Sequence, residues 1–171
     1  MTGSLVRIDR HPIKSHGRES LSGVEITAGQ TLPWDRHWAV LHEASRADGT
    51  EWAPCVNFSR GSKAPGLMAI EAQLNENERE ITLSHADRPD LTFHPDSADD
   101  LPRFLEWVRP LMPADRAASQ RIVSAGARGM SDTDYPSISL LNLASIRALS
   151  DRMGHELDPR RFRGNFWVDG L

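Results

Sequence analysis

Between Gly66 and Ala86 the chain reads GLMAIEAQLNENEREITLSHA, and its apolar residues recur at every second position. Met68, Ile70, Ala72 and Leu74 fall on one face, and Ile81 and Leu83 return along a second arm. A period of two is the signature of a strand with one buried side, and a helix cannot bury such a stripe. The polar run Asn75–Glu78 between the arms supplies the turn. The expectation is an antiparallel hairpin, and it commits the first half of the chain to β structure.

Further short strands are expected on the same grounds at residues 4–8, 23–28, 37–43, 90–95 and 120–125. In the second of these Val24 and Ile26 alternate with polar neighbours, and the third is a continuous apolar run. Two helices follow. Residues 99–112 start on acidic side chains, carry Leu101, Phe104, Leu105 and Val108 at helical spacing, and meet Pro110. Residues 142–154 offer Asn142 as N-cap, a stripe of Leu143, Ile146, Leu149 and Met153, and Gly154 as the stop. Residues 161–171 read as a last strand that ends with the chain, so a C-terminally truncated domain is expected. An open terminal strand would also let two copies pair, and a homodimer is expected on that ground.

The bulk numbers narrow the function classes. At 171 residues, with formal charge -4 and 26% charged residues, the chain has the profile of a soluble globular protein with no general basic surface for nucleic acid. The single cysteine, Cys55, excludes an internal disulfide framework and fits a reducing compartment. No apolar stretch is long enough for a signal peptide or a membrane span, so a cytoplasmic address is expected. The seven histidines show no metal-ligand spacing, and no nucleophile elbow, phosphate-binding P-loop or dinucleotide fingerprint is present.

What remains is a set of polar clusters. Lys14 and Ser15 follow a proline just past the first strand, and a Lys ammonium with a Ser hydroxyl suits a phosphate. Taken alone, the pair is better explained by a solvated loop. Asp35 and Arg36 lie between Trp34 and Trp38, either as an ion pair at a strand end or as a fixed anion donor. Ser131 and Thr133 sit in a turn-forming run, where their hydroxyls are free for a cap or for a ligand. Arg161, Arg163 and Asn165 lie on an expected basic strand, and an Asn amide can read a heterocycle's edge. Cys55 has no evident activating base.

Taken in order, IDRHPIKS, LSGVEIT, DRHWAVLHE, SRGSKAPGLMAI, SDTDYPSISLLNLASIRAL and LDPRRFRGNFWV resemble the molybdenum cofactor sulfurase C-terminal (MOSC) domain family. The resemblance extends to the amidoxime-reducing component and to bacterial reductases of N-hydroxylated compounds. It implies an α+β, mostly β fold: an N-terminal β-rich domain over residues 1–95, then a helical connection and the start of a barrel-like MOSC domain over 96–171. It also implies a molybdenum cofactor, with Lys14, Ser15 and Arg36 on the terminal phosphate of molybdopterin, Ser131 and Thr133 near the pterin, and Arg163 and Asn165 addressing it. The implied reaction is reduction of a small N-hydroxylated substrate with electrons from a redox partner protein. No nucleic-acid or membrane partner is implied. Relatives carry a molybdenum-ligating cysteine in a later part of the domain; Cys55 is not at that place, and no catalytic or metal-ligating residue is assigned. The other functions left open are a non-redox carrier of molybdopterin or sulfur, and a non-catalytic remnant of the fold. The loop HGRESLSG after Ser15 is longer than the family's usual turn, a departure that bears on access to the site.

Overall fold

A computed structural model describes residues 2–170. Nine strands and two α-helices account for its regular structure, with short 3-10 turns between them. The strands are β1 (Ser4–Arg10), β2 (Glu19–Leu21), β3 (Trp38–His42), β4 (Glu71–Asn75), β5 (Glu80–His85), β6 (Arg88–Phe93), β7 (Ser119–Ser124), β8 (Leu140–Asn142) and β9 (Phe166–Asp169). The helices are α1 (Leu101–Val108) and α2 (Leu143–Met153). The architecture is α+β and mostly β.

The expected hairpin is β4 and β5, in the register that sets Leu74 opposite Ile81 and Ala72 opposite Leu83. β6 extends it, placing Phe93 beside Ile81 and Leu91 beside Leu83. One face of this three-stranded sheet is therefore apolar, and α1 covers it with Phe104, Trp107 and Val108. Phe104 stacks on Phe93 with ring centroids 5.2 Å apart. α1 ends one residue before Arg109–Leu111 tightens into a 3-10 turn that holds Pro110, which lacks the N–H an α-helix needs.

β3 pairs with β7 as a separate two-stranded ribbon. Four successive buried residues, Trp38 to Leu41, show why its sequence does not alternate. Trp38 and Val40 join the main core under the three-stranded sheet, whereas Ala39 and Leu41 face a second cluster with Ala53, Phe58 and Met130. The third sheet has the order β2-β1-β9-β8. There β8 and β9 run parallel around α2, and Ile146, Leu157 and Trp167 form a small core of their own. Asn142 caps α2 by accepting the Ala144 N–H at 2.9 Å, and Gly154 ends it at φ 72°.

Two strand assignments are corrected. Residues 23–28 form no strand: Ile26 is 52% exposed, and the β1 edge is already taken by Glu19–Leu21. The last strand begins only at Phe166, because Asp158 caps a 3-10 turn over Pro159–Phe162 and Arg163 is left-handed; Leu171 lies outside the described residues. β9 has β1 on one side and β8 on the other, so that strand offers a second copy no free edge. The three sheets are open, and no closed barrel is found among the described residues. Strand pairing also joins the two expected segments, since β7 lies beside β3 and β9 beside β1. No helix among the described residues is long and apolar enough to cross a membrane.

Candidate functional site

The loop after β1 is laced to the start of β3 by backbone hydrogen bonds. Lys14 N–H donates to the Trp38 carbonyl at 2.7 Å, Trp38 N–H to Pro12 at 3.1 Å, and Arg36 N–H to His11 at 2.7 Å. This exchange brings Lys14, Ser15 and Arg36 together although 21 or more residues separate Arg36 from the other two along the chain. The turn itself closes with His16 N–H on the Ile13 carbonyl at 3.0 Å, and its third residue, Ser15, is left-handed at φ 66°. Glycine is the usual residue at such a position.

A second segment locks against the Asp35–Arg36 turn. Met130 N–H donates to the Arg36 carbonyl at 2.7 Å. Gly129, at φ 65°, passes so close that a Cβ there would sit 2.9 Å from the Asp35 carbonyl oxygen, so no other residue fits. The Met130 carbonyl in turn accepts from Lys14 Nζ at 2.7 Å. A third segment enters through β9: Asp9 N–H donates to the Asn165 carbonyl at 2.7 Å, which carries the preceding Arg163 to the same place. Arg36 donates to the Arg163 carbonyl at 3.1 Å, and the Arg163 guanidinium reaches the Gly17 carbonyl at 3.4 Å.

The result is a cleft of about 650 Å³. Five cations line it, Lys14, Arg36, Arg60, Arg161 and Arg163, against one acid, Asp132. Ser15, Ser62 and Cys55 add hydroxyls and a thiol, while Pro65, Met68 and Phe162 make an apolar flank. Three of the lining residues are left-handed without being glycine: Ser15, Arg36 at φ 52° and Arg163 at φ 49°. Each such residue costs about 1–2 kcal/mol, and such strain gathers at binding sites.

The charges are arranged in depth. Asp35 is buried beneath Arg36, paired with its guanidinium, and its Oδ1 accepts the His11 N–H at 2.7 Å. Burial works against the Asp35 carboxylate, but Arg36 and the His11 hydrogen bonds outweigh it and hold it ionised well below the usual carboxylate range. Burial likewise works against the Arg36 charge, and Asp35 and Asp132 overcome it, raising its pKa. Arg163 makes no ion pair among the described residues: burial and then the neighbouring Arg36 charge push it down to about 9, against a smaller opposing pull from Asp35 and Asp132. Asp132 accepts from Lys14 at 2.5 Å and from the Cys55 thiol at 3.4 Å. Burial opposes its charge, and Lys14 more than compensates, leaving it more acidic than usual. His11 and His16 flank the loop as buried rings held neutral, both lowered to about 4, in each case mainly by burial.

Of the residues singled out in the sequence, Lys14, Ser15, Arg36 and Arg163 share the cleft. Ser131, Thr133 and Asn165 are not among its lining. The Ser131 hydroxyl donates to the Thr133 carbonyl at 2.9 Å and accepts from Arg128, and the Thr133 hydroxyl donates to Tyr135 at 3.1 Å; both shape the turn that presents Asp132. The Asn165 amide is engaged at both ends, donating to Asp9 and accepting from Ser139 N–H and Oγ, so it clamps β9 to its neighbours. Sequence reasoning missed Arg60 and Ser62, whose only signal was the small cationic run Arg60–Lys63. It also set Cys55 aside for lack of an activating base; the fold places its thiol as a hydrogen-bond donor 3.4 Å from Asp132. Among the described residues no group of three or more His, Cys, Asp or Glu stands ready for a metal ion.

Residues 2–116, about two thirds of the chain, match the model of the MOSC N-terminal beta barrel domain family. No curated protein and no solved structure matches the chain.

Proposed function

The chain belongs to the MOSC family through its N-terminal domain, and from that premise we propose that the cationic cleft binds the molybdenum cofactor by the phosphate of its molybdopterin. The observation that carries this reading is the five cations facing one acid in a chain whose net charge is -4. Buried like charges repel, and Arg36 beside Arg163 is stable only with anions near. A phosphate near neutral pH carries between one and two negative charges and accepts several charge-assisted hydrogen bonds.

The donor set fits such a group. Lys14 and Arg36 are fixed from behind by Met130 and Asp35, so they present their remaining N–H groups at little entropic cost. The left-handed turn leaves the Ser15 hydroxyl on the cleft wall as a neutral donor. Arg163 would regain its ordinary basicity beside an anion. Arg161, which is exposed, stands at the rim, and Phe162 with Met68 offers an apolar flank for a flat ring system. When bound, the cofactor would supply two-electron redox chemistry at molybdenum, and the reaction we propose is reduction of N-hydroxylated compounds with electrons from a partner protein. In that reaction these residues bind and orient; none is assigned a proton transfer.

The test is a pterin assay. Protein purified from cells that make the cofactor is oxidised, and released pterin fluorescence is compared between wild type, Lys14→Ala/Arg36→Ala and the exposed-rim variant Arg161→Ala. Pterin in wild type, none in the double variant and a reduced amount in Arg161→Ala is the expected result, with circular dichroism confirming folded protein. Wild type without pterin overturns the reading. Turnover of an N-hydroxylated amidine with an electron donor then tests the reaction itself.

A further inference from the structure

Lys14 and Asp132 form an unequal pair. The Lys14 side chain is 3% exposed, whereas that of Asp132 is 69% exposed. Lys14 has three N–H donors; the Met130 carbonyl takes one at 2.7 Å and Asp132 Oδ1 another at 2.5 Å. The cation is fixed in place, and its only ionic partner among the described residues is a carboxylate that can rotate into water. The backbone around that carboxylate is tied down separately, with the Ser131 carbonyl accepting from Trp52 Nε1 at 2.9 Å and Ser131 Oγ from Arg128 at 3.1 Å. Asp132 can therefore release Lys14 by a side-chain rotation, with no loop unfolding.

We propose that Asp132 is a competing anion built into the cleft: its carboxylate holds the place on Lys14 that a phosphate must take, and so sets how strongly charged a ligand must be to enter. This rests on the cleft being an anion site. A singly charged carboxylate ligand gains no advantage over the carboxylate already there, and it lacks the benefit of being tethered. A doubly charged phosphate engages Lys14, Arg36 and Arg163 together and displaces Asp132, which also frees the Cys55 thiol from its partner. Asp132 thus costs affinity for every anion that takes Lys14, and it is the weaker carboxylates that this cost leaves unbound.

Calorimetric titration of the full chain at neutral pH with inorganic phosphate, and separately with acetate, tests this on wild type, Asp132→Asn and Asp132→Ala. Removing one negative charge beside the bound anion should tighten phosphate roughly tenfold in both variants. Acetate should gain by no more than the same factor, because a displaced competitor lowers every ligand alike and a monoanion feels less of the lost repulsion, so it should register only in the variants. Thermal melting close to that of wild type shows that the variants keep their fold; if Asp132→Ala does not, Asp132→Asn alone decides. Phosphate binding to wild type that is unchanged or weaker in the variants overturns the competitor role and leaves the anion site standing. No phosphate binding by any of the three overturns the role together with the anion site.

Discussion

The three-stranded sheet under α1 and the cleft beside it are built by opposite rules. The sheet is local: β4, β5 and β6 follow one another, their apolar residues share a face, and Phe93, Phe104, Trp107 and Val108 fill the space behind it. Of the five left-handed non-glycine residues among those described, only Arg79 lies in that meander, at its turn, whereas Ser15, Arg36 and Arg163 line the cleft. The cleft gathers segments from residue 14 to residue 163, buries charges, and neutralises them with Asp35 and Asp132. One region carries stability and the other is held together at a cost. The cost is tolerable because the backbone bonds that fix the loop end on β3, which the main core buries.

The largest effect of a single substitution should come from the sheet side. Phe104→Ala removes a fully buried ring and should cost about 3–5 kcal/mol in urea unfolding. Phosphate affinity of the protein that remains folded should hold. If affinity falls as well, the two regions are not separable, and the contact between Phe104 and the His16 ring at 5.8 Å would be the route.

The next effect comes from the cleft's buried histidines. His11 and His16 are both lowered to about 4, so the folded state prefers them neutral and the unfolded chain binds the extra protons. Their contribution is fully present above pH 6.5 and is lost as pH falls toward 4. Two protons taken up on unfolding give a slope of up to roughly 2.7 kcal/mol per pH unit in that window. Urea unfolding between pH 7.5 and 4.5 measures it, and His16→Gln should halve it. A flat profile would show that these rings do not charge on unfolding. Asp35, held well below the usual carboxylate range, adds a loss only at lower pH still.

The smallest effect has two signs. Ser15→Gly relaxes a left-handed serine and should stabilise the fold by about 1 kcal/mol, while removing a phosphate donor and weakening phosphate binding several-fold. Denaturation and titration of the same variant read both. A loss of stability would mean that the serine side chain supports the loop rather than a ligand.

The same division decides what could be read from the sequence. The hairpin, the buried run of β3 and the capped helix α2 were legible because period, burial and caps are local. Residues 23–28 alternate as well, but a strand also needs a partner, and β2 had taken the β1 edge. The stripe on α2 was only half right: Ile146 is buried, while Leu149 and Met153 remain exposed. In the cleft the residue types were legible and their company was not. Lys14 and Arg163 meet because β1 pairs with β9. Asp132 reaches Cys55 because Gly129 lets its loop approach the Asp35 turn. Asn165, a chemically suitable ligand group, is consumed by Asp9 and Ser139, a use that no local pattern announces.

The pairing of β1 with β9 also has a bearing on how the chain is made. Ser4 lies opposite Asp169, so β1 waits during synthesis for a neighbour translated much later. Contacts of such span close slowly, and a bare strand edge invites pairing with other chains. β1 carries Arg7, Asp9 and Arg10, which form ion pairs in the folded protein. During the wait they are charges on an open edge, the kind that keeps nascent strands from joining one another.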